Sequence, residues 1–460
     1  MFRKTLASLV LCVVSASVAQ AQEFAPDSAV RRILADRLAS GRGMGFVLAV
    51  VERDKAPRYY ATGTSGVTGV RLDSTTVFEI GSITKVFTSA LLADMVERGE
   101  VKLDDPISKY LPKTVRVPAR KGKEITLLDL ATQSSGLPRL PTNLRPASVA
   151  NPYADYTVAN LYEFLSGYTL TRDIGTQYEY SNLGVGLLGH VLSLRGGKPY
   201  ETLLKERILD PLGMHDTGIA LSAAMNSRMA QGFNANREPM GRWDLPTLAG
   251  AGALRSTASD MVKFLNASLD SSSSPLGKIL GRIQVSQRPA DRPNNSIGLG
   301  WHIVKVFGST LTWHNGGTGG YRSIVGLDGA NGRGVVLLTN SNMSPDDIAF
   351  HLLEPKVPLE TAVVTPQSRK AISLTEKDLE PLVGVYELAP AFRLTVTREG
   401  SNLYGQATGQ ARFQLLPEAP LKFFLRVVDA QVTFVAGPDG KVNSMVLHQG
   451  GANIPGKRVQ

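Results

Sequence analysis

Cysteine is nearly missing from this chain. Its 460 residues include one, Cys12, inside an apolar run near the N-terminus. A chain of this kind builds no disulfide framework, presents no thiolate nucleophile and offers no cysteine-ligated metal site. Long apolar runs are missing too. The stretch from Leu6 to Val18 is too short to cross a bilayer, and no later segment approaches the ~18–20 uninterrupted apolar residues of a membrane helix. Histidine is sparse and scattered, with 6 residues at positions 190, 215, 302, 314, 351 and 448. None forms an H-E-x-x-H pair. No metal or other cofactor is therefore expected, and His215-Asp216 and His302 read as local structural contacts.

The N-terminus has its own texture. Arg3 and Lys4 precede the apolar run, and Ala19-Gln20-Ala21 follows as a small-residue cleavage site. Residues 1–21 thus read as a secretory signal peptide cut after Ala21. Leu11 stands before Cys12 where a lipoprotein site has a small residue, which argues against a lipid anchor. A bacterial-looking leader on a chain without disulfides places the protein in the periplasm or outside the cell, with no membrane span. The formal charge of +10 favours anionic surroundings such as peptidoglycan. Nucleic acid is the wrong partner for an exported protein, and a monomer is expected. The densest basic stretch, Lys113 to Lys123, contains Pro118 and Gly122 and reads as a solvated loop.

The remaining chain divides in two. Ser28 to Leu38 has the pattern of an amphipathic helix, Phe46 to Val51 of a buried strand, and Arg58 to Gly63 of its hairpin partner. A helix follows Ser82, with Ile83, Phe87, Leu91 and Met95 recurring every four residues as a core-facing stripe. Leu127 to Val262 reads mostly as helices and loops, including a buried helix from Leu183 to Leu194. Strands return at Leu299–Val306, Leu311–His314, Ser323–Leu327 and Gly334–Asn340, then a helix at Asp346–Leu353. Strands at both ends around a helical middle predict an α+β domain over 22–356 whose sheet joins both chain ends. Residues 357–373 read as a polar linker. From 374 to 460, short alternating runs punctuated by glycine and proline predict a small all-β module, a barrel or sandwich.

Three segments carry reactive side chains. Ser82-Ile83-Thr84-Lys85 puts a hydroxyl and an amine on one helical face. A serine hydroxyl is a poor nucleophile without an adjacent base, and Lys85 can be that base if burial depresses its pKa. Tyr180-Ser181-Asn182 opens the Leu183 helix. Its tyrosine can relay a proton or protonate a leaving group, and its asparagine can bind a substrate amide or hold Lys85. His314-Asn315-Gly316-Gly317 ends a predicted strand, and the glycine run leaves room for a substrate against that edge. Acyl transfer also needs two donors for the oxyanion, which the backbone N–H groups of Ser82 and Gly317 can supply. Singly, these segments also fit a helix cap with a solvated lysine, a capping turn and a buried histidine. Together, in this order and behind a leader, they describe an active site.

The same three elements resemble the penicillin-recognising serine hydrolases, closest to the class C β-lactamase and D-alanyl-D-alanine carboxypeptidase branch. Leu130–Pro138, Pro211–Met214, Gly252–Met261 and Gly298–Trp301 share that branch's texture, and the C-terminal region resembles the lipocalin-like module often appended to these enzymes. The resemblance implies an acyl-enzyme on Ser82, Lys85 and Tyr180 as acid/base partners, and Asn182 with the His314, Asn315, Gly316 and Gly317 element as substrate contacts. It implies a small substrate, a β-lactam or a D-amino-acid peptide. Class C enzymes have lysine where this chain has His314, and a hydroxyl residue where it has Asn315. Uncharged histidine weakens recognition of a substrate carboxylate unless another cation, such as Arg322, replaces it. The departure also widens the expectation to esterase-like and D-aminopeptidase members, and the basic surface with the β module leaves open a wall-binding protein with little catalysis.

Overall fold

Phe46 to Val51 organises the first domain because every residue in this run is buried. The computed structural model describes residues 24–459 except 149, 361–368, 370, 390–391, 409–411, 427–429 and 450–451. The expected leader, and much of the expected linker, lie outside these described residues. Eight strands form one antiparallel sheet: β1 (Gly45–Glu52), β2 (Arg58–Gly63), β3 (Arg288–Pro289), β4 (Asn295–Ile297), β5 (His302–Val306), β6 (Ser309–Gly317), β7 (Arg322–Asp328) and β8 (Arg333–Thr339). Their order is β2-β1-β8-β7-β6-β5-β4-β3. Strand β1 thus pairs with β8, Phe46 opposite Thr339, and the sheet joins both ends of the domain as expected.

Successive side chains on a strand point to opposite faces, and here both faces are covered. Val47, Ala49 and Val51 join Val325, Leu327, Val336 and Leu338 in the larger core. Phe46, Leu48 and Val50 join Ile324, Val335 and Leu337 in the second. Five helices matter to this packing: α1 (Asp27–Ala39), α2 (Thr84–Glu97), α3 (Asn182–Gly196), α4 (Ala258–Leu269) and α5 (Asp346–Leu353). Helices α1 and α5 cover the second face through Val30, Leu34, Ile348 and Leu352.

Helix α2 departs from the one-sided stripe expected for it. Every residue from Thr84 to Met95 is buried, as suits a helix enclosed on all sides. Phe87 packs on Phe264 of α4 with ring centroids 4.4 Å apart; cutting Phe87 to alanine would cost about 3–5 kcal/mol. A second difference lies before β5. The apolar Leu299-Gly300-Trp301 was expected to begin that strand, but Gly300 has φ +74° and the strand starts at His302. Strands β3 and β4 are too short to show alternation. The basic stretch ends in a small hairpin, Ala119–Arg120 with Lys123–Glu124, where Arg120 and Lys121 both pair with Asp173.

The C-terminal module is a closed eight-stranded barrel. Its first strand, Gly384–Ala389, pairs with its last, Ala452–Arg458, through Tyr386 and Arg458. The interior is apolar and aromatic: Tyr386 and Phe423 each meet Phe434 edge-on at 5.5 Å.

Candidate active site

Ser82 lies in a tight turn, Gly81–Ile83, that runs into α2. Its hydroxyl caps neither the turn nor the helix. Gly81 and Ile83 are buried while Ser82 is half-buried, so the turn turns its one reactive side chain toward solvent. One helical turn on, Lys85 is 0% exposed. Its Nζ lies 3.0 Å from Ser82 Oγ, 2.9 Å from Asn182 Oδ1 and 2.7 Å from the Ala251 carbonyl. No carboxylate pairs with it among the described residues. Burial holds the amine well below the ordinary lysine range, and Arg139 adds to the effect. In the neutral amine, two N–H groups satisfy Asn182 and Ala251 and the lone pair faces the Ser82 hydroxyl.

Tyr180 and Asn182 arrive together because the residue between them is structural. Ser181 caps α3 by accepting from the Gly184 N–H, and its hydroxyl donates to the Pro138 carbonyl at 2.6 Å. The tyrosine ring lies 4.7 Å from Lys85 Nζ. Desolvation pushes the Tyr180 phenol up to about 12, although a hydrogen bond with Ser82 and the charge of Arg139 act in the opposite sense. It therefore stays protonated at neutral pH. The Asn182 side chain donates to the Tyr153 hydroxyl at 3.2 Å while accepting from Lys85.

Strand β6 closes the other side. A Cβ at Gly316 would collide with the Ile80 carbonyl oxygen, and one at Gly81, which has φ +49°, would lie 2.6 Å from the Gly317 nitrogen. Only glycine lets the strand edge approach the Ser82 turn so closely. Ser323, opposite Gly316, locks the contact by donating to the Ile80 carbonyl at 2.8 Å.

A cavity of about 480 Å³ opens over these groups. It is lined by Ser82, Arg139, Tyr153, Tyr180, Asn182, Trp243, His302, Asn315, Gly316, Gly317, Thr318 and Arg322. Three of the sequence-derived candidates therefore need separate comment. Lys85 lies behind Ser82. His314 is 1% exposed and does not line the cavity, its ring 6.3 Å from that of Tyr180. Burial, then His302 and Lys85, hold its imidazole well below the ordinary histidine range, so it is neutral. Asn315 reaches the wall, with its amide donating to Asp346 at 2.5 Å. His302, expected as a local contact, is part of the wall while stacking on Trp313 at 4.9 Å. Arg139, Tyr153 and Trp243 enter from loops that carry no motif.

The beta-lactamase family model matches residues 30–353. The chain belongs to the beta-lactamase family. A second model, a domain of unknown function (DUF3471), matches residues 368–458. Among curated family members, the chain is 34% identical over 344 residues to the D-alanyl-D-alanine-carboxypeptidase/endopeptidase AmpH of Escherichia coli K12, covering 70% of this chain and 87% of that one. It is 26% identical to a beta-lactamase of Pseudomonas fluorescens, covering 65% and 88%. Among solved structures, a beta-lactamase/D-alanine carboxypeptidase of Yersinia pestis superposes with TM-score 0.61 at 25% identity, over 72% of this chain and 99% of that one. The protein is a serine hydrolase of this family. Among its described residues no helix is long and apolar enough to cross a membrane.

Proposed function

We propose that the protein is an exported serine hydrolase that cleaves an amide of a D-amino-acid peptide or a β-lactam through an acyl-enzyme on Ser82. The carrying observation is the position of Lys85 Nζ, buried and 3.0 Å from Ser82 Oγ, with its other two hydrogen bonds assigned to neutral acceptors. Neutral Lys85 takes the Ser82 proton as Oγ bonds to the substrate carbonyl carbon. The N–H groups of Ser82 and Gly317 hold the resulting oxyanion. Protonated Tyr180 gives its proton to the departing nitrogen as the C–N bond breaks, and the Lys85 ammonium restores it. Water then hydrolyses the acyl ester, releasing a carboxylic acid and regenerating Ser82. Asn182 holds Lys85 on one side and faces the substrate on the other.

Labelling by fluorescent penicillin or a fluorophosphonate tests this reading. Wild type is expected to label at Ser82, and Ser82→Ala is expected to lose labelling and all but ~10⁻⁴ of turnover or less. Equal labelling of the two proteins would overturn it. Neutral His314 supports a second reading in which the acyl donor is a carboxylic ester, which needs no fixed cation on the floor. Turnover of short p-nitrophenyl esters with no hydrolysis of a D-alanyl-D-alanine peptide or nitrocefin would favour the ester.

A further inference from the structure

His314, buried, neutral and outside the cavity lining, offers an anionic substrate no charge. Two guanidinium groups line the wall, Arg139 and Arg322. Arg322 is tied at one nitrogen: its Nε donates to the Asn342 carbonyl at 2.8 Å; burial pushes the nearby Asp346 carboxyl up, and the Arg322 charge opposes that only in part. Arg139 is exposed and, among the described residues, makes no ion pair or side-chain hydrogen bond. Its guanidinium carbon lies 5.0 Å from the centroid of the Tyr180 ring. The carboxylate beside Tyr180, Glu179, is already paired with Arg172.

The base of this side chain is firmly placed. The Arg139 carbonyl accepts from the N–H groups of Asn182 at 3.0 Å and Leu183 at 3.3 Å, which ties it to the start of α3. Arg139 therefore keeps a set position relative to both Tyr180 and Asn182. A guanidinium held near an aromatic ring by cation–π attraction still presents planar N–H donors that match a carboxylate two to two.

We propose that Arg139 is the carboxylate-recognition residue of this cavity, and that it selects substrates carrying a free carboxylate beside the bond attacked by Ser82. This deepens the acyl-serine reading and rests on it. It assigns the site to acids, such as peptides with a free C-terminus, ahead of neutral esters and amidated peptides. The missing charge at His314 is then replaced from a loop tied to the start of α3, and Arg322 is a wall residue held by Asn342.

The test compares a peptide ending in D-alanyl-D-alanine with its C-terminal amide. Wild type is expected to prefer the free carboxylate in kcat/KM by about tenfold to a hundredfold. Arg139→Gln should bring the ratio near one, chiefly through KM, and Arg139→Lys should keep part of it. Protection of Ser82 from fluorophosphonate labelling by the two peptides gives the same ratio as binding, even for a peptide that turns over slowly. Three results would overturn the proposal: no discrimination by wild type, an unchanged ratio in Arg139→Gln, or a ratio abolished by Arg322→Gln alone. Wild type that fails to label at Ser82 refutes the acyl-serine reading itself; wild type that labels but does not discriminate refutes only the role of Arg139.

Discussion

The two parts of the chain bury different chemistry. Among the described residues, the sheet-and-helix domain encloses Lys85, Glu79, Arg255, His314, Asp328 and Arg333, while the barrel core is Leu, Val, Phe, Tyr and Met. Burying a polar group is costly unless it is partnered. Some of the enclosed charges have ordinary partners: Arg333 meets Asp328 at 2.8 Å, and Arg255 reaches Glu79 at 3.4 Å. Lys85 has neutral acceptors and no counter-charge, so its burial opposes the charged form. On the proposed reading the chemistry sits in the first domain, while the barrel is a body packed around an apolar and aromatic core.

Substitutions in the two regions should therefore separate cleanly. After Ser82→Ala, the largest effect on acylation is expected from Lys85→Met, which keeps the apolar stem and removes the base; labelling kinetics should slow by about 10²–10⁴-fold. If acylation survives, the buried lysine is a structural residue and the contrast with the barrel collapses. Tyr180→Phe should slow release of the amine more than attack, by about 10²-fold, visible as an acyl-transfer defect that is milder for activated esters with good leaving groups.

The pH profile sharpens the same contrast. The reactive amine is the neutral one, and its pKa is lowered, so acylation should rise with pH well before the ordinary lysine value of 10.5. The donor form of Tyr180 persists until about 12, so the rate should then stay level across mildly alkaline pH. A rate that climbs only as pH nears 10.5 would show that Lys85 is not desolvated in solution. The smallest effect on acylation is expected in the barrel. Phe434→Ala should destabilise that module by about 3–5 kcal/mol, seen as a shifted calorimetric transition, and truncation before Leu374 should remove the transition; both should leave Ser82 labelling intact.

Much of this was readable before the structure, and the reasons differ by element. Alternation and periodicity located β1, β7, β8 and α3 within a few residues, because those segments are buried and long. The serine, lysine, tyrosine and asparagine stood out through spacing, since one helical turn or one short turn fixes how they meet. Closure of the barrel was harder to see, because the Tyr386 to Arg458 pairing is a long-range register that no local pattern encodes. The cavity wall was harder still. Arg139, Tyr153 and Trp243 sit on loops, and His302 lies in a strand whose start was set by the backbone of Gly300. His314 shows the limit of a motif: its position in the chain marked the right strand, but only packing revealed that its ring is buried away from the cavity lining.

The contact between Gly316 and the Ile80 carbonyl has a consequence for how this site can change. It welds the Ser82 turn and the β6 edge into one part, fastened by Ser323, so the gap between them is set by absent atoms. Widening it means rebuilding the sheet. The loop side chains that face the gap carry no such constraint. On the proposed reading, new substrates are therefore open to this scaffold by exchanging residues such as Arg139 or Trp243, while the Ser82 turn and its glycine neighbours stay as they are.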